Sequence, residues 1–157
     1  MTVITHARRK SRLARLIDSA GGVSVGVALD QARANIAGLR ERGLQEVARR
    51  IEELAAIPLP RDAAPAEGVL QQVYRAAGDV VDAAAPFGLE ETCAVAISLC
   101  DVVDRMSDSS SPDWRVVEVH ARSLRLLNAL PPEAAGERAQ IIDQLAEMVA
   151  RKFPQTG

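Results

Sequence analysis

The sequence predicts an all-α protein: a helical bundle of four main helices with an N-terminal basic arm or short helix. Three observations point there. Five stretches repeat apolar residues every three or four positions, the period of one helix face. No segment alternates apolar and polar residues as a half-buried strand would. The core material is also small, since 48% of the 157 residues are hydrophobic and only 3% aromatic. Ala, Val, Leu and Ile must therefore fill the interior, which suits closely packed helices. The chain divides into a basic arm and turn over 1–22 and a bundle domain over 23–157, long enough to bury a real core.

Residues 1–17 carry Arg8, Arg9, Lys10, Arg12 and Arg15 with no acid, and from about Thr5 they take a helical pattern with Leu13, Leu16 and Ile17 on one edge. Gly21 and Gly22 then make a turn. A long helix is expected from Ser24 to Ile57, with Leu29, Ile36, Leu39, Val47, Ile51 and Leu54 on its seam. At about 1.5 Å per residue it would reach roughly 50 Å, more than a compact bundle of this size needs, so its surplus apolar seam predicts a homodimer. Gly38 and Gly43 are places where that helix can kink or admit a close neighbour. Three prolines punctuate the loop from Ile57 to Pro65.

A second helix follows from Pro65 to Ala85, with Val69, Leu70, Val73, Ala77, Val80, Val81 and Ala84 on its seam, until Pro86-Phe87-Gly88 breaks it. The third spans Leu89–Met106, and its uncharged middle, Thr92 to Cys100, predicts burial on most sides. The central helix lies within Ser111–Leu130. Ser111 or Asp113 can cap it, and Pro131-Pro132 forbids its continuation. Val116, Val117, His120, Leu124 and Leu127 share its apolar face, widened by Val119, Leu126 and Leu130 on one side and Ala121 on the other. A last helix from Pro132 to Phe153 turns Ile141, Ile142, Leu145, Met148, Val149 and Phe153 inward.

Several chemistries are excluded or disfavoured. The net charge is −2, so electrostatic contact with an acidic partner or nucleic acid would rest on the basic arm, through Arg8, Arg9, Lys10, Arg12 and Arg15. No aromatic residue interleaves them for base stacking. Cys93 and Cys100, the only cysteines, stand two helical turns apart, about 10.5 Å, beyond the reach of a disulfide. They read as thiols in a reducing cytoplasm. No run approaches a membrane span, and the two His and two Cys lack metal-ligand spacing. Asp101 and Asp104 share a face near His120, a pattern more common on a solvated surface. No G-x-S-x-G elbow occurs, and no cofactor motif is present. A non-enzymatic protein is expected, with no cofactor and no metal.

His120, in the middle of an apolar stripe, is the one puzzle. Its sharper reading is a phosphoacceptor, since a lone His on a bundle's central helix is the plan of histidine phosphotransfer domains. Those domains place a Lys three residues after the His and a small residue four after it, where this chain has Ser123 and Leu124. The blander reading, a packed or partner-facing His, is preferred. Over Asp113–Leu127 and Thr5–Gly22 the chain resembles alphaproteobacterial chemotaxis accessory proteins of the CheE type. That resemblance implies a small cytoplasmic helical protein of bacterial signalling. It carries no established reaction, and its partner would be a response regulator or another chemotaxis component.

Overall fold

The computed structural model describes residues 22–60, 67–107 and 112–154. These hold six α-helices: α1 (Val25–Gly38), α2 (Arg40–Ala55), α3 (Glu67–Ala84), α4 (Glu90–Ser107), α5 (Trp114–Ala129) and α6 (Ala135–Lys152). A 3-10 turn, Ala85–Phe87, follows α3, and no strand occurs among the described residues. The all-α expectation holds, but the count of four main helices is too low. Apart from Gly22, the expected basic arm lies outside the described residues.

The long helix expected over Ser24–Ile57 is corrected to two. Leu39, with φ −99° and ψ 0°, leaves helical geometry and separates α1 from α2, its carbonyl accepting the amide of Gly43. The physical reason lies beside it, because Gly38 and Gly43 each weaken a helix by about 1 kcal/mol relative to Ala. The chain divides at the same place into two compact units, residues 1–38 and 39–157.

In the second unit, α2, α3, α4 and α5 form a closed ring in which each packs on the next and α5 returns to α2. The last helix, α6, lies against α5 and α4. The expected seams fill the interior: Val47, Ile51 and Leu54 from α2; Leu70, Val73, Ala77, Val80 and Ala84 from α3; Val95, Ala96 and Leu99 from α4; Val116, Val117, Leu124 and Leu127 from α5. Trp114 is the buried aromatic of this core. Its Nε1 has no hydrogen-bond partner among the described residues. Six large apolar residues expected on seams or buried faces are instead exposed: Leu29, Ile36 and Leu39 before α2, Ile97 on α4, and Val119 and Leu126 on α5. Val119 and Leu126 lie at the rim of their stripe, whereas Ile97 stands nearly opposite the buried face of α4, on the side where the uncharged run continues round the helix.

The cap of α5 is Asp113, whose carboxylate accepts the Arg115 amide at 3.2 Å and the Lys152 ammonium at 2.6 Å. Lys152 holds the Asp113 carboxyl below its usual range, tying the end of α6 to the start of α5. At the other end of the bundle, Gly43 admits the Phe87 ring so closely that a Cβ there would stand 1.9 Å from the ring's Cζ. A methyl group cannot share that space. Gly43→Ala is expected to destabilise the bundle, although Ala favours helices over Gly by about 1 kcal/mol. In a Phe87→Ala background the same change becomes stabilising by about that amount. Urea unfolding of the two singles and the double gives the signs directly.

Candidate functional site

Three places can carry function: a groove over the end of α5, a buried His–Ser pair, and the exposed helix α1.

The groove has a volume of about 610 Å³ and runs between the first half of α2, the start of α4 and the end of α5. Leu44, Ala48, Leu89 and Leu130 line it, and Arg138 forms one wall. Arg138 is the residue that sequence reasoning missed. It is 8% exposed. Its Nε and Nη2 donate to Glu91 Oε2 at 2.9 and 2.7 Å, and its Nη1 donates to the carbonyls of Leu127 and Leu130 at 2.8 and 3.3 Å. One side chain of α6 thus satisfies carbonyls that the end of α5 leaves without intrahelical partners, while pairing with the first turn of α4. Arg40, on the opposite wall, donates to the Phe87 carbonyl at 3.3 Å. With both arginines engaged, the groove offers apolar floor and satisfied polar walls. It fits an apolar side chain better than an anion.

The second place is inside the bundle. His120 is 0% exposed. Its Nδ1 lies 2.7 Å from the Val116 carbonyl, which can only accept, so Nδ1 carries the proton. Nε2 is then the acceptor, and the Ser98 hydroxyl donates to it at 3.2 Å. Ser98 also lines a smaller groove of about 270 Å³ with Arg105, Val149 and Phe153. A hydroxyl on an oriented imidazole has the outline of a nucleophile and its base. Ser98 sits in mid-helix, however, where backbone N–H groups are committed to the helix and none is free to stabilise an oxyanion. The pair satisfies a buried ring and pins α4 to α5. Burial holds the His120 pKa below its ordinary value, with the Val116 carbonyl opposing.

Asp101 and Asp104 are exposed and make no bond to His120, whose partners are Ser98 and Val116. Among the described residues no three of His, Cys, Asp and Glu gather to hold a metal. Cys93 and Cys100 are half-buried, near the carbonyls of Val81 and Tyr74, and burial pushes both thiols up. That lowers their thiolate fraction and with it their reactivity. No described helix is long and apolar enough to cross a membrane. The basic-arm residues Arg8, Arg9, Lys10, Arg12 and Arg15 lie outside the described residues.

The third place, α1, has no buried residue. Val25, Val27, Leu29 and Ile36 are 69%, 55%, 52% and 41% exposed. Its only charges, Asp30 and Arg33, face each other at 3.5 Å. No protein-family model, curated protein or solved structure matches the chain.

Replacing Arg138 by Met leaves Glu91 and two carbonyls without their donor. It is expected to cost about 2–3 kcal/mol, below the range of about 3–5 kcal/mol for a fully buried broken pair because Glu91 is partly solvated. Glu91→Gln, which keeps an acceptor, should cost less. Chemical unfolding followed by the single Trp tests both.

His120 also sets a pH dependence. Its folded pKa lies below the unfolded value of about 6.5, so the unfolded chain binds the proton first. Its contribution to stability is full above about pH 6.5 and is lost as pH falls toward the folded pKa. Unfolding midpoints measured from pH 7.5 to 5 should fall for the wild type and stay flatter for His120→Leu. Equal slopes would show that this ring does not titrate in the folded state as its burial requires.

Proposed function

We propose that the chain is a non-enzymatic protein-interaction or regulatory module of the bacterial cytoplasm, serving chemotaxis or two-component signalling, with α1 as the element its partner recognises. The observation that carries this is the exposure of α1: an apolar stripe with none of its residues buried. A helix of 14 residues is marginal in water by itself. Laying such a stripe against a partner is a common recognition mode, read through anchors three and four residues apart. Val25, Leu29, Ala32 and Ile36 have that spacing. The signalling setting rests on the resemblance to CheE-type proteins.

The alternative, phosphotransfer through His120, draws less support. Its Nε2 is occupied by Ser98 and its ring is out of contact with solvent. A response regulator's phospho-aspartate would reach it only after α4 and α5 part. Nucleic-acid contact rests on the charge of the basic arm alone, and would weaken steeply with salt.

The test uses the full chain and a panel of purified response regulators and chemotaxis proteins. The wild type is expected to bind at least one of them. A Leu29→Asp/Ile36→Asp variant should lose that binding while Trp114 fluorescence, which reports on the second unit, stays unchanged. Equal binding by the variant would remove α1 as the docking element. Acid-labile label taken up from a phospho-regulator, and absent from a folded His120→Gln variant, would favour phosphotransfer.

A further inference from the structure

We propose that the groove over the end of α5 is a binding site for a small organic amine, its apolar body on the leucine floor and its ammonium held by the wall carboxylates Glu91 and Glu41. All the lining residues belong to the second unit, and none to α1. The volume of about 610 Å³ falls within the roughly 300–1,000 Å³ that small-molecule sites occupy. Leu44 is 37% exposed there. Ala48, Leu89 and Leu130, each half-buried, complete an apolar floor that the helices leave uncovered.

The hydrogen-bonding groups of the walls decide the sign of the ligand. Arg138 has committed its fork, Nε and Nη2 to Glu91 and Nη1 to the carbonyls of Leu127 and Leu130. Both bonds to Glu91 fall on Oε2, so Oε1 accepts nothing among the described residues, and this carboxylate is the solvated member of the pair. Glu41, exposed on the α2 wall, forms no ion pair among the same residues. The buried cation is thus spent while carboxylate oxygens remain open. An ammonium ion supplies three donors and no acceptor, which is what such walls lack.

The helix ends agree. At the groove α4 begins with Glu90 and Glu91 in its first turn, and α2 with Glu41, so both positive ends already carry carboxylates. The negative end of α5 arrives there with no basic residue in its last turn, and Arg138 meets it from another helix. An incoming anion would face two carboxylates and that carbonyl end. Arg40, which spends one bond on the Phe87 carbonyl, is the group that favours an anion, and the experiment lets it compete.

Isothermal titration calorimetry of the full chain with cyclohexylmethylamine, cyclohexylmethanol and cyclohexanecarboxylate sets one apolar body under three head groups. The amine, protonated at neutral pH as a lysine is, is expected to bind at least about tenfold more tightly than the alcohol or the carboxylate. Its amide chemical-shift changes should centre on Leu44, Ala48 and Asn128. Glu41→Gln should weaken the amine several-fold and leave the alcohol as it was. Ala48→Phe, which fills the floor, should abolish amine binding, with circular dichroism and Trp114 emission confirming that it folds. No binding of the amine, or shift changes away from the groove, overturns the proposal. Carboxylate binding as tight as the amine's also overturns it and gives the site to Arg40 and an anion. So does an amine affinity that Glu41→Gln leaves unchanged, since that exposed position alters charge without touching the core.

Discussion

Three helices meet at one guanidinium. Arg138 enters from the first turn of α6, pairs with Glu91 in the first turn of α4, and donates to two carbonyls where α5 ends. Pro131 and Pro132 stop α5 at that point, so its last carbonyls face inward with no following turn to use them. A hydrophobic side chain at 138 would fill the space and leave those oxygens unpaired. A lysine would bring the charge without the planar fork that reaches three acceptors. The end of α5 depends on this one side chain, which docks the start of α6 as Lys152 on Asp113 docks its end.

The rest of the bundle follows from how little aromatic volume the sequence supplies. With Ala77, Ala84 and Ala96 wholly buried, neighbouring backbones come close, and each polar group trapped between them must be satisfied locally. His120 illustrates this. It fills a large volume on the apolar face of α5, and its two nitrogens are met by its own helix and by Ser98 across the α4 interface. In a core otherwise built of aliphatic groups, such a bond fixes the register of α4 against α5. The Phe87 ring over Gly43 performs a similar locking by shape at the edge of the core.

Much of this was legible in the sequence because helical period and burial are the same fact seen twice. On α3 the expected seam residues Leu70, Val73, Ala77, Val80 and Ala84 are buried and Val69 and Val81 partly so, and the central face of α5 is buried as its spacing requires. What escaped is instructive. Arg138 stands among Glu137, Ala139 and Gln140, a stretch that reads as solvated helix, and only the three-dimensional position of carbonyls from another helix gives it work. Ser98 lies in an uncharged run where nothing distinguishes it from a filler residue. Val119 and Leu126 belong to the apolar stripe by angle, yet a stripe shows where a partner can sit and not how wide that partner is. The break at Leu39 was foreshadowed by Gly38 and Gly43, but their cost of about 1 kcal/mol each does not by itself choose between a bend and a stop.

That break changes the meaning of the apolar seam continuous in sequence from Leu29 to Leu54. Beyond it, Val47, Ile51 and Leu54 are spent on the interior of the ring and are no longer available to a partner. Before it, Leu29 and Ile36 keep half their surface, on a helix too short to hold its shape without cover. One apolar pattern has thus been divided into a half that is buried and a half that is exposed. On the proposed reading, folding and binding of α1 would be a single equilibrium, since whatever covered the stripe would also supply the free energy that a short helix lacks in water. The contacts by which Arg138 closes the bundle and His120 registers it lie wholly within the second unit, so its fold asks nothing of the helix before the break.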